Sequence, residues 1–341
     1  MEKKNLDRSF QSKNPASMRT ITVEEHYASP GFLEGPGRRL RDMPNVERFR
    51  GTNIVEALSD LGEKRIAEMD AAGIDVQVLS LTDPAVQQLD ATKAVALAQE
   101  ANDFLANAVM HYPKRFAGFA TLPTAAPDRA ADELERRVKE NGFKGGHING
   151  HTKGRYLDDR FFWPILERAQ ALKVPLYIHP TPPPQSVIDA YYAGFAPEVT
   201  NMLAGAGWGW HIETAVHVLR LIVGGVFDHF PDLQVIIGHM GEALPFMLPR
   251  VDGIMSPNMT KLNRSVAAYL RQNIYYSFSG FNYIQTFLNL YLQVGAARII
   301  FSADYPYSSM KQAHTFLEQL PVTVADRDAI AHGNAERLLK L

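Results

Sequence analysis

The amino-acid sequence predicts a single (β/α)₈ barrel, because short apolar segments typical of strands alternate with amphipathic segments typical of helices. Eight strand-like segments occur, at 20–26, 74–81, 116–123, 144–150, 174–180, 233–240, 274–280 and 298–306. Most of them are continuous apolar runs, as expected of strands that are buried on both faces of a parallel sheet. Eight strand–helix units close most economically into one barrel.

Helical patterns separate these strands, at 62–72, 90–112, 127–141, 158–172, 211–230, 263–272, 283–294 and 309–319. Two long segments, 27–61 and 181–210, interrupt the alternation after the first and fifth strands, and both are rich in glycine, proline and aromatic residues. Long loops in a compact domain are usually functional, so we expect both to form walls of a pocket. Without any linker-like change in composition, we expect one domain, residues 19–341, after a disordered lead, residues 1–18.

The composition limits the classes of function. The chain has 341 residues and a formal net charge of −2, which disfavours partners such as nucleic acid or an anionic membrane. No apolar run is long enough to span a bilayer, and the polar first residues lack the apolar core of a signal peptide. The absence of cysteine excludes disulfides and thiolate ligands and is compatible with a cytoplasmic protein, which is our expectation.

Polar residues fall at the carboxyl ends of four predicted strands: Glu24 and His26, then His179, His239 and Asp304. These ends converge on one face of a barrel, where active sites are built. Residues two apart in a strand point to the same side, so the side chains at 24 and 26 can both face the barrel axis, with Glu25 turned away. Imidazole and carboxylate ligands suit Zn²⁺ or Mn²⁺. One such histidine is more often a hydrogen-bonded core residue, and Asp304 alone could cap a helix, but together they favour a metal site.

Other residues carry weaker signals. Glu213 and His217 lie four apart on a helix and could chelate a metal, although structural pairing explains them better because no second histidine follows at that spacing. His147 is a candidate pocket residue, and Trp208 and Trp210 could wall the pocket or pack between subunits. No glycine-rich phosphate loop follows a strand, so a nucleotide cofactor is not indicated.

Four motifs resemble one family. They are EEH (24–26), YIHP (177–180), GHMGEALP (238–245) and FSADYPY (301–307), and the chain resembles the amidohydrolase-related decarboxylases from about residue 19 to its end. This branch contains γ-resorcylate, 2,3-dihydroxybenzoate and 5-carboxyvanillate decarboxylases. The resemblance implies a (β/α)₈ barrel that removes CO₂ from an ortho-hydroxylated aromatic acid, in a reaction that can run in reverse, and it suggests a homodimer or homotetramer.

The resemblance also implies roles for individual residues. One divalent ion per chain, Zn²⁺ or Mn²⁺, would be held by Glu24, His26, His179 and Asp304. The implied catalytic residues are Asp304, a candidate proton donor to the ring carbon, and the pair His239 and Glu242, an alternative donor or its proton relay. The implied substrate-binding residues are Arg50, which would hold a second carboxylate, Arg250, and Tyr307 beside the ring.

Two questions stay open at the level of sequence. The carboxyvanillate branch often has alanine where this chain has His26, which leaves the fourth ligand and the exact hydroxybenzoate undecided. A metal-dependent hydrolase or hydratase of a lactone or unsaturated acid is the alternative function, disfavoured because this chain has ExH where hydrolytic amidohydrolases have HxH. A barrel that binds a ligand without catalysis is the least favoured reading, because five polar residues with ligand or acid–base chemistry lie at strand ends.

Overall fold

The computed structural model describes residues 18–42 and 53–341. Its strands are β1 (Ile21–Tyr27), β2 (Val76–Leu81), β3 (Phe116–Gly118), β4 (Ala120–Thr121), β5 (Gly146–Asn149), β6 (Leu176–His179), β7 (Val235–Ile237), β8 (Ile274–Ser277) and β9 (Ile299–Ile300). All neighbouring pairs are parallel, in the orders β1-β2-β3 and β4-β5-β6-β7-β8-β9. The short β3 and β4 together form the third strand of the barrel, so each of the eight predicted strand segments overlaps an observed strand.

Two seams close the sheets into one barrel. At the seam between β3 and β4, the backbone N–H of Phe119 donates to the carbonyl of Leu79 over 2.9 Å. The pairing with β2 therefore continues from one sheet into the other. At the other seam, Glu25 pairs in parallel with Tyr305, and the N–H of His26 donates to the carbonyl of Tyr305 over 2.7 Å. The predicted (β/α)₈ barrel is therefore confirmed.

The helices surround this barrel. Those of eight residues or more are Glu63–Ala72, Ala91–His111, Pro127–Asn141, Trp163–Leu172, Pro197–Ala204, Gly209–Val223, Leu244–Ile254, Ile284–Val294 and Met310–Glu318. Shorter α-helices are Pro30–Glu34, Arg39–Asp42, Ile54–Ser59, Gln185–Val187, Val226–His229, Pro257–Thr260, Val266–Gln272, Val324–Asp328 and Asn334–Leu339. Among the described residues, none of these helices is long and apolar enough to cross a bilayer.

The helices depart from the predictions in several bounds and in number, and two of these differences have a clear local cause. The helix predicted at 211–230 is split, because Gly225 adopts a left-handed conformation with φ +74° after Val223. Helix Leu244–Ile254 is not in the predicted set, and it contains Pro249 in its interior, which obscures its sequence pattern. The predicted lead, residues 1–18, lies outside the described residues except for Met18, which packs against the hydrophobic core.

The two ends of the barrel differ in chemistry. Apolar side chains fill its interior toward the amino ends of the strands, and this inner cluster contains Ile21, Val23, Val78, Phe119, Tyr177, Ile236 and Ile300. Leu339, on the last helix, belongs to the same cluster. Polar and ionisable side chains are buried toward the carboxyl ends instead, which is where barrel enzymes place their active sites.

Glu25 joins the first strand to the segment that follows the last one. Its carboxylate accepts the backbone N–H groups of Ala303, over 2.8 Å, and Tyr305, over 3.1 Å. Gln77 donates to the same carboxylate over 3.3 Å, and Gln77 is held in turn by the buried guanidinium of Arg65. Burial raises the pKa of Glu25 to about 7, against the lowering effect of these donors. The side chain thus points away from the barrel axis, as predicted, and fastens the seam.

Glu25→Ala should lower the free energy of unfolding by about 2–4 kcal/mol, because it leaves two buried backbone N–H groups without an acceptor. Urea denaturation at constant m-value would measure the change. Glu167→Ala, at an exposed position of helix Trp163–Leu172, is the matched control and should change stability by less than about 0.5 kcal/mol. Equal stability of the two variants would contradict the role given to Glu25.

Candidate metal centre

Four of the predicted site residues meet at the carboxyl end of the barrel. Glu24, His26 and His179 each offer a ligand atom, and these atoms lie within 4.8 Å of one another. Nε2 of His26 is 3.2 Å from Oδ1 of Asp304, and Nε2 of His179 is 3.5 Å from Oε1 of Glu24. All four residues are buried. The backbone N–H of Asp304 donates to the carbonyl of Glu24 over 3.0 Å, so the barrel seam itself brings the two carboxylates together.

The Glu24 carboxylate has one occupied and one free oxygen. Oε2 accepts hydrogen bonds from the hydroxyls of Tyr177, Ser277 and Ser279. Oε1 is buried without a hydrogen-bond partner among the described residues, and it faces the imidazoles of His179 and His239. Burial raises the pKa of Glu24 to about 8, although the neighbouring His239 lowers it.

The two histidines of the cluster present free ring nitrogens. Nδ1 of His179 lies 2.8 Å from the carbonyl oxygen of Pro180, which can only accept, so Nδ1 carries the proton and Nε2 keeps its lone pair. Both ring nitrogens of His26 are buried without partners among the described residues. Burial also lowers the pKa of His179 well below its usual value, so the ring is neutral, as a metal ligand must be. These nitrogen and oxygen donors fit a divalent metal ion.

A second group of polar side chains borders the cluster. Nδ1 of His239 lies 2.7 Å from Oε1 of Glu242, and Nδ1 of His211 lies 2.5 Å from Oε2 of the same carboxylate. Nε2 of His239 faces Oε1 of Glu24 at 4.0 Å. Burial lowers the pKa of His239, but the carboxylates of Glu242 and Glu24 outweigh it and raise the pKa to about 9. These carboxylates therefore favour the protonated form of His239, next to the cluster.

The backbone is strained where these side chains leave their strands. Asp304, His239, Glu242 and Ser279 have φ values of 66°, 50°, 54° and 49°, in the left-handed region that residues other than glycine rarely adopt. Such conformations persist where the surrounding structure enforces them, and they concentrate at functional sites. The four strained residues lie beyond the carboxyl ends of the strands, at the open end of the barrel, which we call its mouth.

The candidate substrate-binding residues are placed differently. The hydroxyl of Tyr307 lies 2.6 Å from Oγ1 of Thr82, and its ring centroid is 5.5 Å from that of His26, so Tyr307 borders the cluster. Trp210 lies with its ring 6.2 Å from His179. Arg250 is exposed on helix Leu244–Ile254. Arg50 lies outside the described residues.

The two long loops also differ. The end of segment 181–210 reaches the cluster through Trp210, in agreement with the predicted wall. The described parts of segment 27–61 pack outside the barrel, where Ser29 donates to Glu100 on helix Ala91–His111 over 2.5 Å. Since residues 43–52 lie outside the described part of the chain, the wall formed by this first segment stays a prediction.

Glu213 and His217 have structural partners. The Glu213 carboxylate accepts the hydroxyl of Tyr156, and Nε2 of His217 accepts the backbone N–H of Leu157 over 3.1 Å. Neither residue belongs to a potential metal-holding group among the described residues. The favoured interpretation of structural pairing therefore agrees with the geometry.

Comparison with known proteins identifies the family. A model of the amidohydrolase family matches residues 52–341. The chain belongs to the amidohydrolase family. The γ-resorcylate decarboxylase of Polaromonas sp. (strain JS666) is 40% identical, and the match covers 94% of this chain and 98% of that protein.

Solved structures from the same family show similar folds. A dihydroxybenzoic acid decarboxylase from Polaromonas sp. JS666, with bound manganese and 2-nitroresorcinol, is 38% identical with a TM-score of 0.85, over 95% of this chain and 97% of that chain. The 5-carboxyvanillate decarboxylase from Novosphingobium aromaticivorans, with manganese and 4-hydroxy-3-methoxy-5-nitrobenzoic acid, is 36% identical with a TM-score of 0.87, over 95% and 96%. The resemblance inferred from the motifs is confirmed.

Several site residues of this amidohydrolase were not predicted from the sequence. Tyr177, Ser277 and Ser279, which hold Glu24, could have been found from the period-two alternation, since Tyr177 precedes His179 by two residues and the two serines share one face of their strand. His211 carries no comparable signal, because it lies at the start of a helix that follows a long insertion.

Gly238→Ala should disturb the Glu24 carboxylate, because an added Cβ would lie 2.6 Å from Oε2 of Glu24 and 2.7 Å from Oγ of Ser279. We expect a loss of about 1–3 kcal/mol in the free energy of unfolding, measured by urea denaturation. Gly253→Ala is the control, since nothing lies within 4 Å of its added Cβ and alanine favours a helix interior. A Gly238→Ala variant as stable as the wild type would show that this end of the barrel is not closely packed around Glu24.

Proposed function

We propose that this protein catalyses the metal-dependent, non-oxidative decarboxylation of an ortho-hydroxylated aromatic carboxylic acid of the γ-resorcylate class. The observation that carries the proposal is the buried cluster of Glu24, His26, His179 and Asp304, with His239 at its edge. The similar proteins named above decarboxylate hydroxylated benzoates, and two of their structures hold manganese together with an aromatic nitro compound.

One divalent ion per chain, Mn²⁺ or Zn²⁺, would be held by Glu24, His26, His179 and Asp304. The assignment is supported by buried atoms that have no hydrogen-bond partner among the described residues, namely Oε1 of Glu24 and the two ring nitrogens of His26. The ion supplies Lewis acidity toward the carboxylate and the ortho oxygen of a bound substrate. We include His26 because its Nε2 lies 3.2 Å from Oδ1 of Asp304, a separation at which both atoms can bind one ion.

The protein must also deliver a proton to the ring. Direct loss of CO₂ from an arene carboxylate would leave an aryl carbanion, which no ordinary side chain stabilises, so protonation of the carboxylated ring carbon comes first. The C–H bond then forms before the C–CO₂ bond breaks, and each turnover consumes one proton. Asp304 is the candidate donor, and His239 with Glu242 is the alternative donor or its relay. In its protonated form, which the neighbouring carboxylates favour, His239 also attracts an anionic substrate.

The remaining contacts bear on the substrate and the assembly. We infer that Tyr307 and Trp210 border the ring of the substrate, that Arg250 contacts it, and that Arg50 would hold a second carboxylate in a carboxyvanillate-like acid. We further infer a homodimer or homotetramer. Phe246 and Ile254, exposed by 74% and 56% on helix Leu244–Ile254, offer an apolar face for self-association.

A pair of isomeric substrates tests the reaction. γ-Resorcylate, which carries hydroxyls ortho to the carboxylate, should release CO₂, whereas 3,5-dihydroxybenzoate should react on the order of 10³-fold more slowly or not at all. The reason is that the isomer lacks the ortho oxygen whose charge activates the ring. Release of CO₂ from each acid with Mn²⁺ or Zn²⁺ present is the measurement. Comparable turnover of the two isomers would exclude activation through an ortho hydroxyl and favour the hydrolase or hydratase alternative.

Two histidine variants test the assignment of ligands. His179→Ala should lose both the bound metal and activity, because it removes a nitrogen ligand. His239→Asn should keep the metal and lose most of its turnover, because His239 lies outside the proposed ligand set. Elemental analysis of purified protein measures the metal, and His111→Ala, at an exposed helix position, is the control. Full metal content in His179→Ala would remove His179 from the ligand set.

A further inference from the structure

His211 completes a chain of three side chains that no sequence motif indicated. Each oxygen of the Glu242 carboxylate faces one imidazole: Oε1 lies 2.7 Å from Nδ1 of His239, and Oε2 lies 2.5 Å from Nδ1 of His211. The two imidazole centroids are 4.7 Å apart at an interplanar angle of 69°. Glu242 is thus held from both sides, and only one of its two partners faces the metal cluster.

The far side of His211 is also fixed. Its Nε2 lies 3.2 Å from the indole nitrogen of Trp210 and 3.1 Å from the carbonyl oxygen of Ala206, and it forms a hydrogen bond with one or the other according to whether it accepts or donates. The ring of Phe281 lies 5.3 Å from the centroids of both His211 and His239. The His211 ring therefore has little freedom to rotate, and it transmits the position of the Ala206–Trp210 segment to the carboxylate.

Glu242 needs such a partner for a geometric reason. It has a left-handed φ of 54° in the turn after β7, and its carboxylate is buried. A carboxylate anchored by one hydrogen bond could rotate about its last bond and carry His239 with it. A second charge-assisted bond to Oε2 fixes the carboxylate plane. The two imidazoles also hold the pKa of Glu242 at about 2 although burial raises it, so the acceptor stays ionised.

We propose that His211 is a positioning residue: by donating from Nδ1 to Glu242, it fixes the carboxylate that orients His239 toward the reacting end of the pocket. The inference rests on the proposed function, in which His239 handles the proton or the carboxylate of the substrate. It assigns His211 no contact with the substrate and no part in holding the metal.

Two substitutions separate this role from others. His211→Leu removes the donor and keeps a side chain of moderate size. His211→Asn keeps an N–H donor near the place of Nδ1 but has no titratable ring. We expect His211→Leu to lower kcat about 10- to 100-fold with KM changed less and metal content unchanged, and His211→Asn to regain most of kcat. If His211→Asn is as impaired as His211→Leu, or if His211→Leu is fully active, the proposal is wrong.

A double-mutant cycle tests whether His211 acts through Glu242. In a Glu242→Ala background, His211→Leu should lower kcat by less than about twofold more, because the hydrogen-bonded route from His211 to His239 is already removed. Multiplicative losses would contradict the proposal. Titration with Mn²⁺ tests a competing explanation, in which His211, His239 and Glu242 hold a second metal ion. Two ions per wild-type chain, falling to one in His211→Leu, would support that explanation and contradict the proposal.

A readout without substrate keeps this proposal separate from the proposed function. In the Zn²⁺-loaded protein, which is diamagnetic, the Nδ1 proton of His239, hydrogen-bonded to a carboxylate, should give a downfield proton NMR signal that disappears in His239→Asn. That signal should shift or broaden in His211→Leu and remain in His211→Asn. If the wild-type protein decarboxylates no hydroxybenzoate, the proposed function fails, while an unchanged signal in His211→Leu is what would refute the positioning role.

Discussion

The closure of the barrel between its first and last strands is the constraint on which the candidate site depends. Glu25 points outward and accepts the backbone N–H groups of Ala303 and Tyr305, so the residue between them, Asp304, is held against the carbonyl of Glu24. Alternation around Glu25 then places the side chains at 24 and 26 inside the barrel. Ile21 and Val23 also belong to the inner cluster, because the register of β1 against β2 shifts between Thr22 and Glu25. One seam therefore sets three of the four proposed metal ligands, and a shift of register by one residue would turn them all away from the axis.

The barrel interior also contains buried polar atoms that form no hydrogen bond with the described residues. Oε1 of Glu24, both ring nitrogens of His26, both ring nitrogens of His147 and the amide of Asn149 are buried without hydrogen-bond partners among the described residues. Buried polar groups in native proteins are nearly always paired, and isolated orphans are expensive. These atoms lie on the first strand, β1, and on β5, and the proposed metal ion and substrate would supply partners that the described side chains do not.

Most of the fold could be predicted from the sequence, because it depends on local rules. Apolar runs and period-two alternation predicted the eight strands and the inward placement of Glu24 and His26, which is what the structure has. These local rules do not predict the position of a residue that depends on the path of a long insertion. His211 reaches Glu242 only because the segment before helix Gly209–Val223 folds back over the mouth of the barrel. Helix Leu244–Ile254 was missed for a local reason, since Pro249 breaks the expected pattern. The roles given to Arg50 and Arg250 stay predictions.

Strand lengths were overestimated at the site, and the reason connects the fold to its function. The segment predicted as a strand at 298–306 pairs as β9 only over Ile299–Ile300, and the strand predicted at 233–240 pairs only over Val235–Ile237. Beyond those points Asp304 and His239 adopt left-handed conformations, each of which costs about 1–2 kcal/mol for an L-residue. A regular strand would direct its side chains across the pleat, alternately inward and outward. A left-handed residue ends that alternation, so its side chain can point across the mouth of the barrel toward the proposed ligands. The apolar layer at the opposite end, which the last helix covers through Leu339, provides stability that offsets this strain. The barrel thus separates the end that stabilises it from the end at which strained, incompletely paired groups can bind a metal and a substrate.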